Sequence, residues 1–272
     1  MMTGQLKYLS ETRLDRPAMV VGWHGDAGMT GDRVIALLNQ TFKMKPLAEI
    51  EPVGFFQLSG VEVASDLAKL PDSSFSYSKE VPLIAFISDI PAYEVHQFLE
   101  RVLDLAAKHE VSHMIIIGAL PVMASHNTPS TLMANLSTPL LRDWLSGEGV
   151  KADMDYISPP GQKPAIGTYL TWEARQHGVE AVSLWSPVPF YLAPLTDETG
   201  AARILSFLRH KLALPVNTQE AEDSARRQRE KIAGLRASEP EVDKSLSMLE
   251  SNLSLTEYEA GALAASVRQA LS

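Results

Sequence analysis

The chain contains no cysteine among its 272 residues. Disulfides, thiolate nucleophiles and cysteine-ligated zinc are therefore excluded. It has no apolar run near the ~20 residues that a membrane-spanning helix needs. An excess of basic residues is also missing: 33 Asp and Glu outweigh 24 Lys and Arg, giving a formal charge of −9. That balance argues against a nucleic-acid face and against attachment to anionic lipid. The opening residues Met1–Lys7 lack the basic and apolar regions of a signal peptide, so a cytoplasmic protein is expected. Between Lys7 and Lys43 there is no lysine, and this absence bears on the most informative stretch of the chain.

That stretch is residues 18–38. A short apolar run ends in a loop with Gly22, Gly25, Gly28 and Gly31, and an apolar helix pattern follows. A strand, a glycine turn and a helix in this order place a crevice at the carboxyl end of an open α/β sheet. The spacing argues for a structural turn over a nucleotide cradle, although a carboxylate or phosphate could dock at the helix N-terminus that follows. Gly-x-Gly-x-x-Gly is absent, no Gly-Lys-Ser/Thr closes the turn, and Asp26 would repel a phosphate.

Further unbroken, partly β-branched runs at 81–87, 114–118 and 179–184 predict strands covered on both faces. Helix patterns lie between them at 30–39, 92–109, 140–145 and 165–177, the last stopped by Gly178. The alternation predicts a mostly parallel sheet flanked by helices. Segments 51–58 and 60–63 read as short edge strands, and 69–79 as a loop or hairpin. Composition shifts after Pro215. Helices are predicted at 218–233, 239–249 and 255–271, with Ser254 and Thr256 as candidate caps. Their apolar residues are too sparse for an independent core. Residues 1–215 thus form an α/β domain, and 216–272 a helical tail that packs on the body or on a neighbouring subunit.

Three other features bear on chemistry. His109-Glu110-Val111-Ser112-His113 is a literal H-E-x-x-H, but a helix-to-strand boundary falls between the histidines, so their rings should not share a face. They read instead as a helix C-terminal cation and a strand-edge residue. After Gly118, a long loop through Pro129 offers His126 beside Ser125, Asn127 and Thr128, without a local acid to orient the ring. Tyr156–Gly161 and Ser183–Tyr191 put prolines and aromatics into segments that follow strands, suited to a cleft or a partner surface.

In these segments the sequence resembles the proteasome assembly chaperone 2 family. The resemblance rests on Gly22-Trp23-His24-Gly25-Asp26-Ala27-Gly28, which carries one residue more than the family's turn, and on Gly118-Ala119-Leu120. Ser125-His126-Asn127-Thr128-Pro129 is an altered form of a family Pro-His-Thr-Arg-Pro. Ala181 to Tyr191 matches a later signature, with Phe190 where the family has histidine. The resemblance implies a single α/β domain similar to nucleoside phosphorylase/hydrolase-like folds, with a helical C-terminal region and self-association. It also implies a chaperone role toward protein clients such as proteasome α-subunits, without catalysis, metal or cofactor. The chain ends Gln269-Ala270-Leu271-Ser272, which departs from the hydrophobic–Tyr–any tripeptide of some archaeal relatives. The competing expectation is a binder or enzyme for a nucleoside, nucleotide or carboxylate. Its crevice would be lined by Gly22, Trp23, His24, Asp26, Gly28, Gly118, His126, Asn127, Gly161 and Trp185.

Overall fold

A computed structural model describes residues 4–57, 62–64, 66–152, 155–157 and 161–272, with backbone alone at 62–64 and 67–69. The strands are β1 Leu6–Tyr8, β2 Ala18–Trp23, β3 Lys45–Ile50, β4 Glu62–Ala64, β5 Leu67–Lys69, β6 Ser73–Tyr77, β7 Leu83–Ser88, β8 Met114–Val122, β9 Met133–Leu136 and β10 Ala181–Pro189. The helices are α1 Thr30–Thr41, α2 Val95–Lys108, α3 Leu141–Leu145, α4 Ile166–Gln176, α5 Glu198–Lys211, α6 Gln219–Ser238, α7 Pro240–Glu250 and α8 Glu257–Leu271.

Eight strands form one sheet in the order β1-β3-β6-β7-β2-β8-β10-β9. The four strands β7-β2-β8-β10 are parallel, and antiparallel strands extend the sheet on both sides. The unbroken apolar runs are these central strands, and alternate residues of each serve opposite faces. Val20, Ile115, Ile117, Val182 and Leu184 pack with α1 and α5, through Val34, Leu38, Ile204 and Leu208. Met19, Val21, Ile84, Phe86, Met114 and Ile116 pack with α2 and α4, through Phe98, Leu99, Val102 and Leu170. Burial of each such side chain contributes about 1.5–3 kcal/mol, which makes these two layers the main source of stability.

Several boundaries differ from expectation. β8 continues through Pro121 to Val122, so the loop begins after Val122 rather than after Gly118. β10 likewise runs through Trp185, Pro187 and Pro189. Proline lacks an N–H, yet both extensions tolerate it because each has an open side. β9 pairs with β10 only up to Trp185, and β2 pairs with β8 only up to Ile116. Within the segment expected as a loop or hairpin, residues 73–77 form a strand between β3 and β7, antiparallel to both. Their serines hide a period of two that buries Phe75 and Tyr77, and Phe75 stacks on Phe86 at 4.2 Å.

Residues 51–57 do not form the expected edge strand. Pro52 and Gly54 break the chain into a turn that drives Phe55 into the core, its ring 5.2 Å from Phe98. Leu58, Gly60 and Val61 lie outside the described residues, as do Ser158, Pro159 and Pro160.

The three C-terminal helices share a small core with the body. Ile232, Val242, Leu246, Leu249, Leu263 and Val267 pack on Val188, Tyr191 and Leu192, which come from the end of β10 and the turn after it. The first half of α6 lies instead on the α1/α5 layer, through Ala221. Thr256 caps α8 in a reciprocal capping box with Glu259. Among the described residues, no helix is long and apolar enough to cross a membrane.

Candidate functional site

The glycine turn is built by close packing and by its own acids. Gly22 ends the apolar run of β2, and Gly31 lies in the first turn of α1. A Cβ on Gly31 would sit 2.9 Å from the Trp23 nitrogen and 3.2 Å from the Gly22 Cα, so the helix rests directly on strand backbone. Gly28 has φ +70°, a left-handed conformation that side-chain-bearing residues adopt at a cost. Its N–H donates to the Ala193 carbonyl and its carbonyl accepts from the Asp197 N–H, both at 2.8 Å. The turn is thereby stitched to the segment that follows β10.

Asp26 accepts the Gly31 N–H with both carboxylate oxygens, at 3.2 and 3.0 Å. A helix N-terminus offers such donors to an anion. Here the chain's own carboxylate occupies one of them. Burial pushes the Asp26 carboxyl up to about 7, aided by the neighbouring Asp32, while the N–H groups of Gly31 and Thr30 pull the other way. His24 Nδ1 hydrogen-bonds Asp32, whose second oxygen accepts the Gly25 N–H at 3.0 Å.

Trp185 and Gly118 are neighbours across the sheet, while Trp23 pairs with Ser88 on the other side of β2 and lies edge-on to Phe86. Trp185 pairs with Gly118 in register, and a Cβ on Gly118 would meet the Trp185 ring at 2.9–3.1 Å. The glycine is the floor on which the indole lies. Both indole Nε1 atoms, of Trp23 and Trp185, are buried without a hydrogen-bond partner among the described residues, as is the Ser183 hydroxyl.

His126 and Asn127 belong to a separate cluster. The Tyr191 hydroxyl accepts the His126 N–H at 2.7 Å and lies 2.8 Å from His126 Nδ1. Burial pushes the Tyr191 phenol up to about 12 and holds the His126 ring below the usual histidine range. At neutral pH the phenol therefore keeps its proton and faces a neutral ring. Ser125 Oγ and Asn127 Nδ2 both donate to Glu250 at 3.1 Å, and Arg236 donates to the same carboxylate at 2.9 and 3.0 Å. The loop is thus tied to α6 and α7.

A cavity of about 220 Å³ opens beside this loop, lined by Val122, His126, Thr128, Pro187, Asp197 and Arg203 among others. Asp197 is 97% buried, being 3% exposed, and burial raises its carboxyl pKa against the pull of the Gly200 N–H and of Arg203.

The predicted crevice residues therefore fall in three places: the Gly22–Gly31 turn with Trp23, the Gly118–Trp185 pair, and the His126–Tyr191 cluster. No contact recorded for Gly161 joins it to these; it sits exposed in a turn. Neither Asp197 nor Arg203 was singled out from the sequence. Asp197 carried a signal, since an Asp one residue ahead of a helix pattern is a cap candidate. Arg203 carried none, because its burial depends on α5 meeting the ends of β8 and β10.

The H-E-x-x-H reading fails as expected. His109 ends α2, and His113 precedes β8, stacked 4.8 Å from Trp144. One detail differs: burial lowers the His109 pKa, so at neutral pH it is not the expected helix-end cation. No group of three metal-ligating side chains occurs among the described residues.

This mixed α/β sheet with flanking helices and a C-terminal helical trio is shared with solved structures. It aligns with a Mycobacterium tuberculosis protein of unknown function, Rv2714, at a TM-score of 0.78 and 20% identity, over 99% of this chain and 93% of that one. A Corynebacterium glutamicum protein of unknown function aligns at 0.76 and 16%, over 92% and 96%. Pyrococcus furiosus PbaB, an archaeal proteasome activator, aligns at 0.69 and 18%, over 86% and 99%. At these identities the likeness is one of fold. No curated protein sequence matches the chain. Residues 19–236 match the PAC2 family, and the chain belongs to that family.

Proposed function

We propose that this chain is a non-catalytic, self-associating protein of the cytoplasm that binds protein clients, proteasome subunits among them, in the manner of an assembly chaperone. Family membership carries the reading, together with the fold shared with PbaB. The surface supports it. Ile90 and Tyr93 follow the carboxyl end of β7, while Leu120 and Met123 lie at the end of β8, and all four are exposed. Aromatic and methionine side chains of this kind are enriched where proteins meet. The strand ends that hold small ligands in other α/β proteins are here partly closed by the chain's own contacts: Asp26 on Gly31, and Gly28 on Ala193 and Asp197.

The test is affinity isolation of the tagged chain from native lysate of its own host, with partners identified and quantified by mass spectrometry. The expected result is stoichiometric recovery of a defined protein client, proteasomal α-subunits first. Recovery of the free chain alone would overturn the reading.

A further inference from the structure

The cavity between the ends of β8 and β10 and the start of α5 contains an unsatisfied cation. Arg203 lines it and makes no hydrogen bond or ion pair with any described residue; its Nη1 atom is buried without a partner. A guanidinium carries five donors, and leaving a buried charged donor unmet costs more than an ordinary lost hydrogen bond. The Thr128 hydroxyl, also of the cavity lining, is likewise buried without a partner among the described residues. Asp197 attracts Arg203 electrostatically without a hydrogen bond to it.

We propose that this cavity is a binding site for a small organic monocarboxylate, received by Arg203 with Thr128 and with the organic body against Pro187, Pro189 and Val122.

Three observations select that chemistry. First, a guanidinium presents a planar fork that matches a carboxylate in two parallel hydrogen bonds. Second, Asp197 beside Arg203 leaves the site with little net charge, so a monoanion is tolerated where a phosphate dianion would be repelled. Third, about 220 Å³ is below the roughly 300–1,000 Å³ of pockets for drug-sized ligands. The ligand is therefore a molecule of few heavy atoms, with proline and valine walls for its apolar part. The inference is independent of the client-binding reading.

The experiment titrates the full chain with propanoate, butanoate, lactate and benzoate, and separately with inorganic phosphate, at constant ionic strength against chloride. Binding is read by thermal shift and by saturation-transfer NMR. At least one carboxylate is expected to bind and to raise the melting temperature, as any ligand of the native state alone must. Phosphate is expected to bind more weakly. Arg203→Gln should weaken the carboxylate at least tenfold and Thr128→Val several-fold, while Arg227→Gln, outside the cavity, leaves it unchanged. Should Arg203→Gln fail to fold, arginine-selective NMR of the wild-type chain decides: the Arg203 Nε–H resonance shifts on binding. No binding by any of the four, preference for phosphate, or an Arg203 signal indifferent to bound carboxylate would each overturn the proposal. None of these results touches the client-binding reading.

Discussion

Replacing Gly31 by alanine is expected to cost about 2 kcal/mol net, although alanine is the better helix former. The added methyl would lie 2.9 Å from the Trp23 nitrogen, 3.2 Å from its carbonyl oxygen and 3.2 Å from the Gly22 Cα. All three are backbone atoms of β2, so no rotamer change relieves the contact. The helix must move off the strand or the strand must bend, and such overpacking typically costs 1–3 kcal/mol or somewhat more. The gain of about 1 kcal/mol in helix propensity is not enough to offset it. For a chain of this size the loss amounts to a fall in Tm of roughly 4–8 °C. Gly234 in α6 is the control, because a Cβ there meets nothing within 4 Å. Gly234→Ala should stabilise the protein by about 0.5–1 kcal/mol. Urea unfolding of both variants measures the contrast. If the two shift stability in the same direction, the close contact of α1 with β2 is wrong.

Asp26→Asn is expected to change the pH dependence of stability and to strengthen the fold at alkaline pH. An unfolded aspartate titrates near 4, whereas the folded Asp26 titrates at about 7. Between those values the native state holds a proton that the unfolded chain has released. This contribution to stability is complete below about pH 4 and is lost as the pH rises through 7. Asparagine carries no charge to bury, and its carbonyl oxygen can still accept the Gly31 N–H. The variant should therefore flatten the stability profile between pH 4 and 8. At pH 8 it should exceed the wild type by on the order of 1–3 kcal/mol, allowing for the partial exposure of the site. Asp26→Ala removes the acceptor as well and should gain less. Chemical denaturation at half-unit pH steps checks this. A variant less stable than wild type at pH 8 would mean that the carboxylate form is the stabilising one, and the burial argument would fall.

How far the sequence foretold this molecule depends on where each signal was local. The central strands announce themselves because they are covered on both faces, so 18–22 and 114–118 read as unbroken apolar runs. The ends of β8 and β10 do not, since Pro121, Pro187 and Pro189 signal a loop unless the open neighbouring edge is known. The strand 73–77 was hidden by serines on the face opposite Phe75 and Tyr77. In the C-terminal region, helices and the Thr256 cap were legible from spacing. That Val242, Leu246 and Val267 would close over Val188 and Tyr191 required the tertiary arrangement. The same holds for chemistry: the glycine turn was visible in one segment, while the cavity joins Thr128 of the loop after β8 to Asp197 and Arg203 at the start of α5.

The account's central claim is that the chain acts by binding other proteins. Native mass spectrometry of the purified chain, alone and mixed with separately purified proteasome α-subunits of its host, tests this most directly. The account predicts a homo-oligomer alone and a defined hetero-complex in the mixture, with the exposed Leu120→Asp and Met123→Asp substitutions weakening the complex but not the fold. A monomer that forms no complex with the α-subunits under any mixing ratio would contradict it.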